Sequence, residues 1–87
     1  MDNTGMYKVV MLNDDTTPTD FFMEMLNVFF QQPREEANGK ISDLRKDGRT
    51  AVGLYPKEKA ERLATILMKC AETEGHKDFK AVAEKAI

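Results

Sequence analysis

At 87 residues and 9.9 kDa, the chain has the length of one small domain, which excludes a two-domain enzyme. Thirteen Lys and Arg against fifteen Asp and Glu give a net charge of −2 and a pI near 5.4, so no basic excess exists to neutralise phosphates and nucleic acid is not an expected partner. Hydrophobic residues at 41% and charged residues at 32% suit one modest core under a highly charged surface.

The first segment, Met1 to Met6, is polar and Gly-containing and reads as a short flexible arm, with a folded domain over 7–87. From Tyr7, the apolar Tyr7, Val9 and Met11 alternate with Lys8 and Val10, which predicts a strand leading into the turn-prone Asn13-Asp14-Asp15. Thr16-Thr17-Pro18-Thr19-Asp20 combines hydroxyl cap candidates, a proline suited to a first helical turn and an early acidic residue, so a helix is expected to start near Pro18. Phe22, Met25, Leu26, Phe29 and Phe30 recur at spacings of three and four, forming its apolar face, with Phe21 and Met23 off that face. Gln31-Gln32-Pro33 restarts the pattern as a second helix to about Asp47. Ala37, Ile41 and Leu44 are its inward positions, and Gly48 stops it.

Arg49 to Tyr55 reads as a strand, with Gly53 marking a close approach to the backbone. Pro56 ends it. Lys57 to Glu74 carries the clearest helical stripe, Ala60, Leu63, Ala64, Leu67 and Ala71, while Glu58, Glu61 and Arg62 face away. After Gly75, Phe79, Ala81 and Val82 predict a short last strand, with Ala83 to Ile87 fraying. The order is β-α-α-β-α-β: an α+β fold in which a three-stranded antiparallel sheet packs against three helices.

The chemistry-bearing residues are few. One cysteine, Cys70, and one histidine, His76, make neither an internal disulfide nor a zinc-ligand set. Cys70 reads as a buried or half-buried small side chain and His76 as an exposed imidazole after a helix end. The sequence has no Gly-rich phosphate loop, Ser elbow or H-E-x-x-H, so a non-enzymatic protein without cofactor or metal is expected. Apolar runs such as Val9 to Leu12 fall far short of the roughly 20 residues of a membrane span, and no charged-then-apolar leader opens the sequence. A cytoplasmic location, away from membranes, is the corresponding expectation. By spacing alone, Asn13-Asp14-Asp15 is either a capping and turn cluster or a functional one; adjacent aspartates in extended backbone point apart and make a poor acid/base pair.

The string Tyr7-Lys8-Val9-Val10-Met11-Leu12-Asn13-Asp14-Asp15-Thr16-Thr17-Pro18 resembles the opening strand and loop of the ClpS family, adaptors of the Clp unfoldase-protease. Phe21, Leu26, Phe29-Phe30, Glu36-Ala37, Gly48, Val52-Gly53-Leu54-Tyr55, Glu58, Ala60-Glu61 and Gly75-His76 keep the family's register from about Tyr7 to Phe79. The resemblance implies an adaptor that holds a protein by its N-terminal residue, an N-degron, and hands it to an AAA+ unfoldase. It implies that Asn13, Asp14 and Asp15 surround the α-ammonium and that Thr17 forms the pocket rim, a mode of N-terminal capture. It also puts Arg45 where the family usually has a histidine acceptor, Thr19 where a gating methionine is usual, and Phe22 where a small aliphatic lines the pocket, with Ile41 and Leu44 keeping the wall apolar. An arginine has five donors and no acceptor, so altered specificity follows. Glu58 and Glu61 match acidic positions that meet the unfoldase's N-terminal domain, while the basic residue the family carries after them is Leu63 here, with Arg62 one place early, and a monomer is expected.

Two other readings remain open in the sequence. One keeps the fold but drops N-degron binding, leaving a modulator that occupies the unfoldase's N-terminal domain and blocks or redirects substrates. The other is a small ribosome-associated or assembly domain, because the ribosomal stalk protein's C-terminal domain has a similar fold.

Overall fold

The computed structural model describes residues 5–86. The elements are β1 (Met6–Leu12), α1 (Thr19–Phe30), α2 (Arg34–Asp47), β2 (Arg49–Pro56), α3 (Lys57–Thr73) and β3 (Lys80–Lys85). β1 lies between β2 and β3, antiparallel to both. Its alternation decides which way the layers stack. Val9 and Met11 enter the core with Phe22, Leu26, Leu44 and Leu67 from the three helices, so the helices cover one face of the sheet.

The opposite face carries Lys8, Val10 and Leu12 of β1. Val10 is nevertheless only 1% exposed. Arg49, opposite Leu12 on β2, forms an ion pair with Glu84, opposite Lys8 on β3, and this bridge spans β1 above Val10.

β2 holds a register break beside Gly53. Val9 pairs with Gly53 but Val10 pairs with Ala51, so Val52 is the extra residue of a bulge and its side chain turns into the core. A Cβ on Gly53 would stand 2.4 Å from the Tyr55 ring, which is the close approach its sequence context suggests.

Two expectations are corrected here. Ala83 to Lys85 do not fray: Ala83 pairs with Val9, Glu84 with Lys8 and Lys85 with Tyr7, and the Ala86 N–H donates to the Met6 carbonyl at 3.0 Å. Hydrogen bonding to the central strand offsets the chain-end entropy there. Phe21, expected off the apolar face of α1, is 2% exposed. The segment joining α3 to β3 folds back on it, bringing the His76 and Phe79 rings edge-on at 4.8 and 5.2 Å. Phe79 itself precedes β3 and is buried.

Of the expected arm, residues 1–4 and the chain-end Ile87 lie outside the described residues. Met6 already belongs to β1, opposite Pro56. Among the described residues, no helix is long and apolar enough to cross a membrane, and no group of three or more His, Cys, Asp or Glu side chains could hold a metal ion.

Candidate functional site

The loop between β1 and α1 is built around one carboxylate. Asp14 Oδ1 accepts the backbone N–H of Thr16 at 2.8 Å and of Thr17 at 2.7 Å, and Oδ2 accepts the Thr17 hydroxyl at 2.8 Å. This is the capping geometry that aspartate favours in turns. Thr17, at 3% exposure, is thereby satisfied although buried. Partial burial pushes the Asp14 carboxyl up, but the hydrogen bonds from Thr17 and Thr16 outweigh it and hold the group below its ordinary value of 3.8. The carboxylate expected to face a ligand is therefore turned inward, toward its own loop.

The Thr16 hydroxyl lies 2.9 Å from Asp78 Oδ2 and 3.2 Å from Asp14 Oδ1. With one proton to give, it serves the nearer Asp78. Asp78 ties the loop to the segment before β3 and was not identifiable in sequence, since 62 residues separate the partners.

The other two residues of the string point elsewhere. Asp15 is exposed. The Asn13 backbone N–H donates to the Gly48 carbonyl at 2.9 Å, and Gly48 can end α2 because its φ of 83° is left-handed. So the end of α2 fixes where Asn13 sits.

α2 brings the remaining candidates to the loop. Ile41, Leu44 and Arg45 fall at i, i+3 and i+4 and share a face. Ile41 and Leu44 are buried in the core, and Arg45 is an exposed residue in the last turn, where a cation suits the helix dipole. Its guanidinium reaches across the loop. Nη1 donates to Asn13 Oδ1 at 2.6 Å and to the Asp14 carbonyl at 3.2 Å. Nη2 donates to the Thr17 carbonyl at 3.3 Å and to Thr19 Oγ1 at 3.2 Å. Its Cζ stands 5.1 Å from the centroid of the Phe22 ring, within cation–π range. Phe22 is fully buried, with Phe79 5.7 Å away on its other contact.

The geometry thus brings Asn13, Thr17, Thr19, Phe22, Leu44 and Arg45 together, with Ile41 one turn behind on the same helix face. The arrangement holds a cation: four oxygen acceptors surround the two terminal nitrogens of one guanidinium over an aromatic ring.

Glu58, Glu61 and Arg62 form no part of it. They are exposed on the first turns of α3, and α3 starts where β2 ends, beside Met6, at the far end of β1 from Asn13. In that same stretch Lys57 and Lys59 fold back, with Nζ 5.8 Å from the Tyr7 ring and 5.1 Å from the Tyr55 ring. His76, expected exposed, is half-buried because its ring packs on Phe21 and its backbone N–H donates to the Ala71 carbonyl. Cys70 is half-buried and free, beside a shallow groove along the outer side of α3 that also touches Ile66 and Thr73 and lies away from the loop.

With this geometry in view, the comparisons with known proteins agree with one another. Residues 2–80 match the model of the family described as ATP-dependent Clp protease adaptor protein ClpS. The chain is 35% identical over 72 residues to an ATP-dependent Clp protease adapter protein ClpS of Herminiimonas arsenicoxydans, spanning 83% of this chain and 71% of that protein. It is 38% identical over 71 residues to the protein of the same name from Variovorax paradoxus, spanning 82% and 60%. A structure of Agrobacterium tumefaciens ClpS2 bound to L-phenylalaninamide superposes with a TM-score of 0.88 at 23% identity, covering 95% of this chain and 99% of that one. That neighbour shares the fold, β-α-α-β-α-β with all three helices on one side of the sheet. With the family match and the two relatives beside it, the chain belongs to the ClpS family of ATP-dependent Clp protease adaptor proteins.

Proposed function

We propose that the protein is an adaptor that takes hold of substrate proteins by their N-terminal residue at the Asn13–Thr19 loop and presents them to a Clp-type AAA+ unfoldase. The observation that carries this reading is the convergence of Asn13 Oδ1, the Asp14 and Thr17 carbonyls and Thr19 Oγ1 on one cationic group over the Phe22 ring. An α-ammonium needs the same things, oriented acceptors and an apolar wall for the first side chain. The Agrobacterium relative, bound to the amide of an amino acid with a free amine and an aromatic side chain, supports the same chemistry.

Asp15, exposed at the loop, adds negative potential at the mouth, and Asp14 contributes its backbone carbonyl while its carboxylate holds the loop in shape. Phe22 and Leu44, with Ile41 behind them, form the apolar wall. Because Phe22 fills that wall with a full ring, the first side chain of a substrate meets less room than a small aliphatic would leave. Specificity is altered accordingly. Glu58, Glu61 and Arg62 are the proposed contact with the unfoldase's N-terminal domain, made by a monomer in the cytoplasm.

The test is a fluorescence-anisotropy titration with short peptides beginning in Phe, Leu, Tyr or Trp, each beside its N-acetylated twin. Binding that acetylation abolishes is the expected result. Equal binding of the free and acetylated forms of every peptide would remove the N-terminal reading.

A further inference from the structure

We propose that Arg45 sets the affinity threshold of this site by acting as a tethered cation that competes with the substrate's ammonium for the same acceptors. The proposal rests on the reading of the loop as a receiver of N-termini. All four guanidinium hydrogen bonds go to oxygens of the loop and the first helical residue: Asn13 Oδ1, the Asp14 and Thr17 carbonyls and Thr19 Oγ1. The charge lies over Phe22. A cation held in the acceptor cluster thus reproduces, within one chain, the charged group that a substrate's N-terminus would bring, while Phe22 stays in place as the wall beneath it.

Three physical points make this a competition. First, a guanidinium offers donors only, so Arg45 cannot accept a hydrogen bond from an ammonium. Second, two cations cannot share acceptors a few ångströms apart without strong mutual repulsion, so a peptide binds only as Arg45 leaves. Third, leaving requires no rearrangement of the fold. The Arg45 backbone is fixed by α2 through buried Leu44 and Ile41, and its side chain is on the surface, free to turn outward about its own torsions.

Binding is then an exchange, and the apparent affinity falls by the fraction of time the site is free. An arginine in place about nine-tenths of the time weakens every free-amine ligand about tenfold. Only ligands with a strong side-chain contribution displace it. Arg45 thereby raises the threshold for recognition.

The test uses the full chain and two variants, Arg45→Ala and Arg45→Gln, each checked for an unchanged melting transition. A labelled peptide beginning in Phe and its N-acetylated twin are titrated by anisotropy, and the side-chain nitrogen resonances of Arg45 are followed by NMR in the wild-type protein. Both variants are expected to bind the free-amine peptide about tenfold more tightly than wild type or better. Binding of the acetylated twin should be unchanged. The wild-type Arg45 resonances should move toward those of a solvent-exposed arginine as peptide is added. Variants that prefer the free amine but bind it no more tightly than wild type would overturn the role of Arg45 and leave N-terminal recognition standing. If wild type and variants alike ignore acetylation, both the competition and the reading beneath it fall.

Discussion

The two ends of the sheet are built by opposite rules. At the Leu12 end, the Asn13–Thr19 loop is cross-braced by Asp14, by Thr16 bonded to Asp78 and by Asn13 bonded to Gly48. At the Met6 end, roughly 20 Å away along the seven residues of β1, the first turns of α3 present Glu58, Glu61 and Arg62 to solvent. Internal hydrogen bonds fix the first region in one geometry, which recognition of a small group requires. The second is an exposed charged face, suited to steering a macromolecular partner. Substitutions should therefore act differently at the two ends, strongly on stability at the first and hardly at all at the second.

The largest effect is expected at Phe22, where core and site share one side chain. Fully buried and packed against Phe79, it leaves a cavity when cut to alanine, and Phe22→Ala should cost about 3–5 kcal/mol in chemical denaturation. Since small single domains have only about 5–15 kcal/mol to lose, the variant should melt well below wild type. A loss under about 1 kcal/mol would show that the ring is not a core element and that the loop end is looser than described.

Next comes Asp14→Ala, which removes the acceptor for two backbone N–H groups and the buried Thr17 hydroxyl. A cost of about 1–2 kcal/mol is expected, as for loss of a helix cap. The pH dependence has a definite sign. The carboxyl of Asp14 is held below its ordinary 3.8 in the folded chain, so the folded state favours the charged form. Its contribution is complete above that ordinary value and is lost as pH falls through the lower folded one. Denaturation measured from about pH 6 down to pH 2 should show wild type losing its advantage over Asp14→Ala in the acid range; a constant gap would mean the carboxylate does not carry the loop.

Gly48→Ala should follow, at about 1 kcal/mol, because φ of 83° is strained for any residue with a Cβ. Open space surrounds the position, so backbone strain alone is tested, by the shift in denaturation midpoint. The Gly48 carbonyl holds Asn13, so N-terminal peptide affinity should fall as well. An unchanged affinity would separate the placement of Asn13 from the end of α2.

How much of this was legible in the sequence follows the same division. Local patterns gave β1, the three helices, β2, the stop at Gly48 and the close approach at Gly53, because alternation, helical spacing and turn chemistry are written in neighbouring residues. Burial of Phe21, the half-burial of His76 and the length of β3 were not legible. Each depends on the segment after α3 folding back onto α1 or β1, a contact between residues far apart in the chain. The site divides similarly. Asn13, Asp14 and Asp15 stand out as a string, but their separate tasks do not: one faces Arg45, one braces its own loop and one faces solvent. Arg45 could be recognised as a donor in an acceptor's position, while its grip on Asn13, 32 residues away, required the structure.

The smallest effect on stability is expected at the other end of the sheet, and it gives the comparison its clearest test. Reversing both exposed acids, Glu58→Lys with Glu61→Lys, touches no packed side chain and should change folding stability by less than about 0.5 kcal/mol. The same pair is proposed to meet the unfoldase's N-terminal domain, where like-charge juxtaposition is costly and rim charges govern association rate and salt dependence. Surface-plasmon or calorimetric titration with that domain should therefore show about tenfold or greater weakening, with the salt dependence altered, while N-terminal peptide binding at the Asn13 loop is retained. Because the two patches lie at opposite ends of β1 with a rigid sheet between them, loss of docking together with intact peptide binding is the outcome that separate recognition and docking surfaces require. Loss of both at once, in a protein that still melts like wild type, would mean that the two ends are coupled through the sheet.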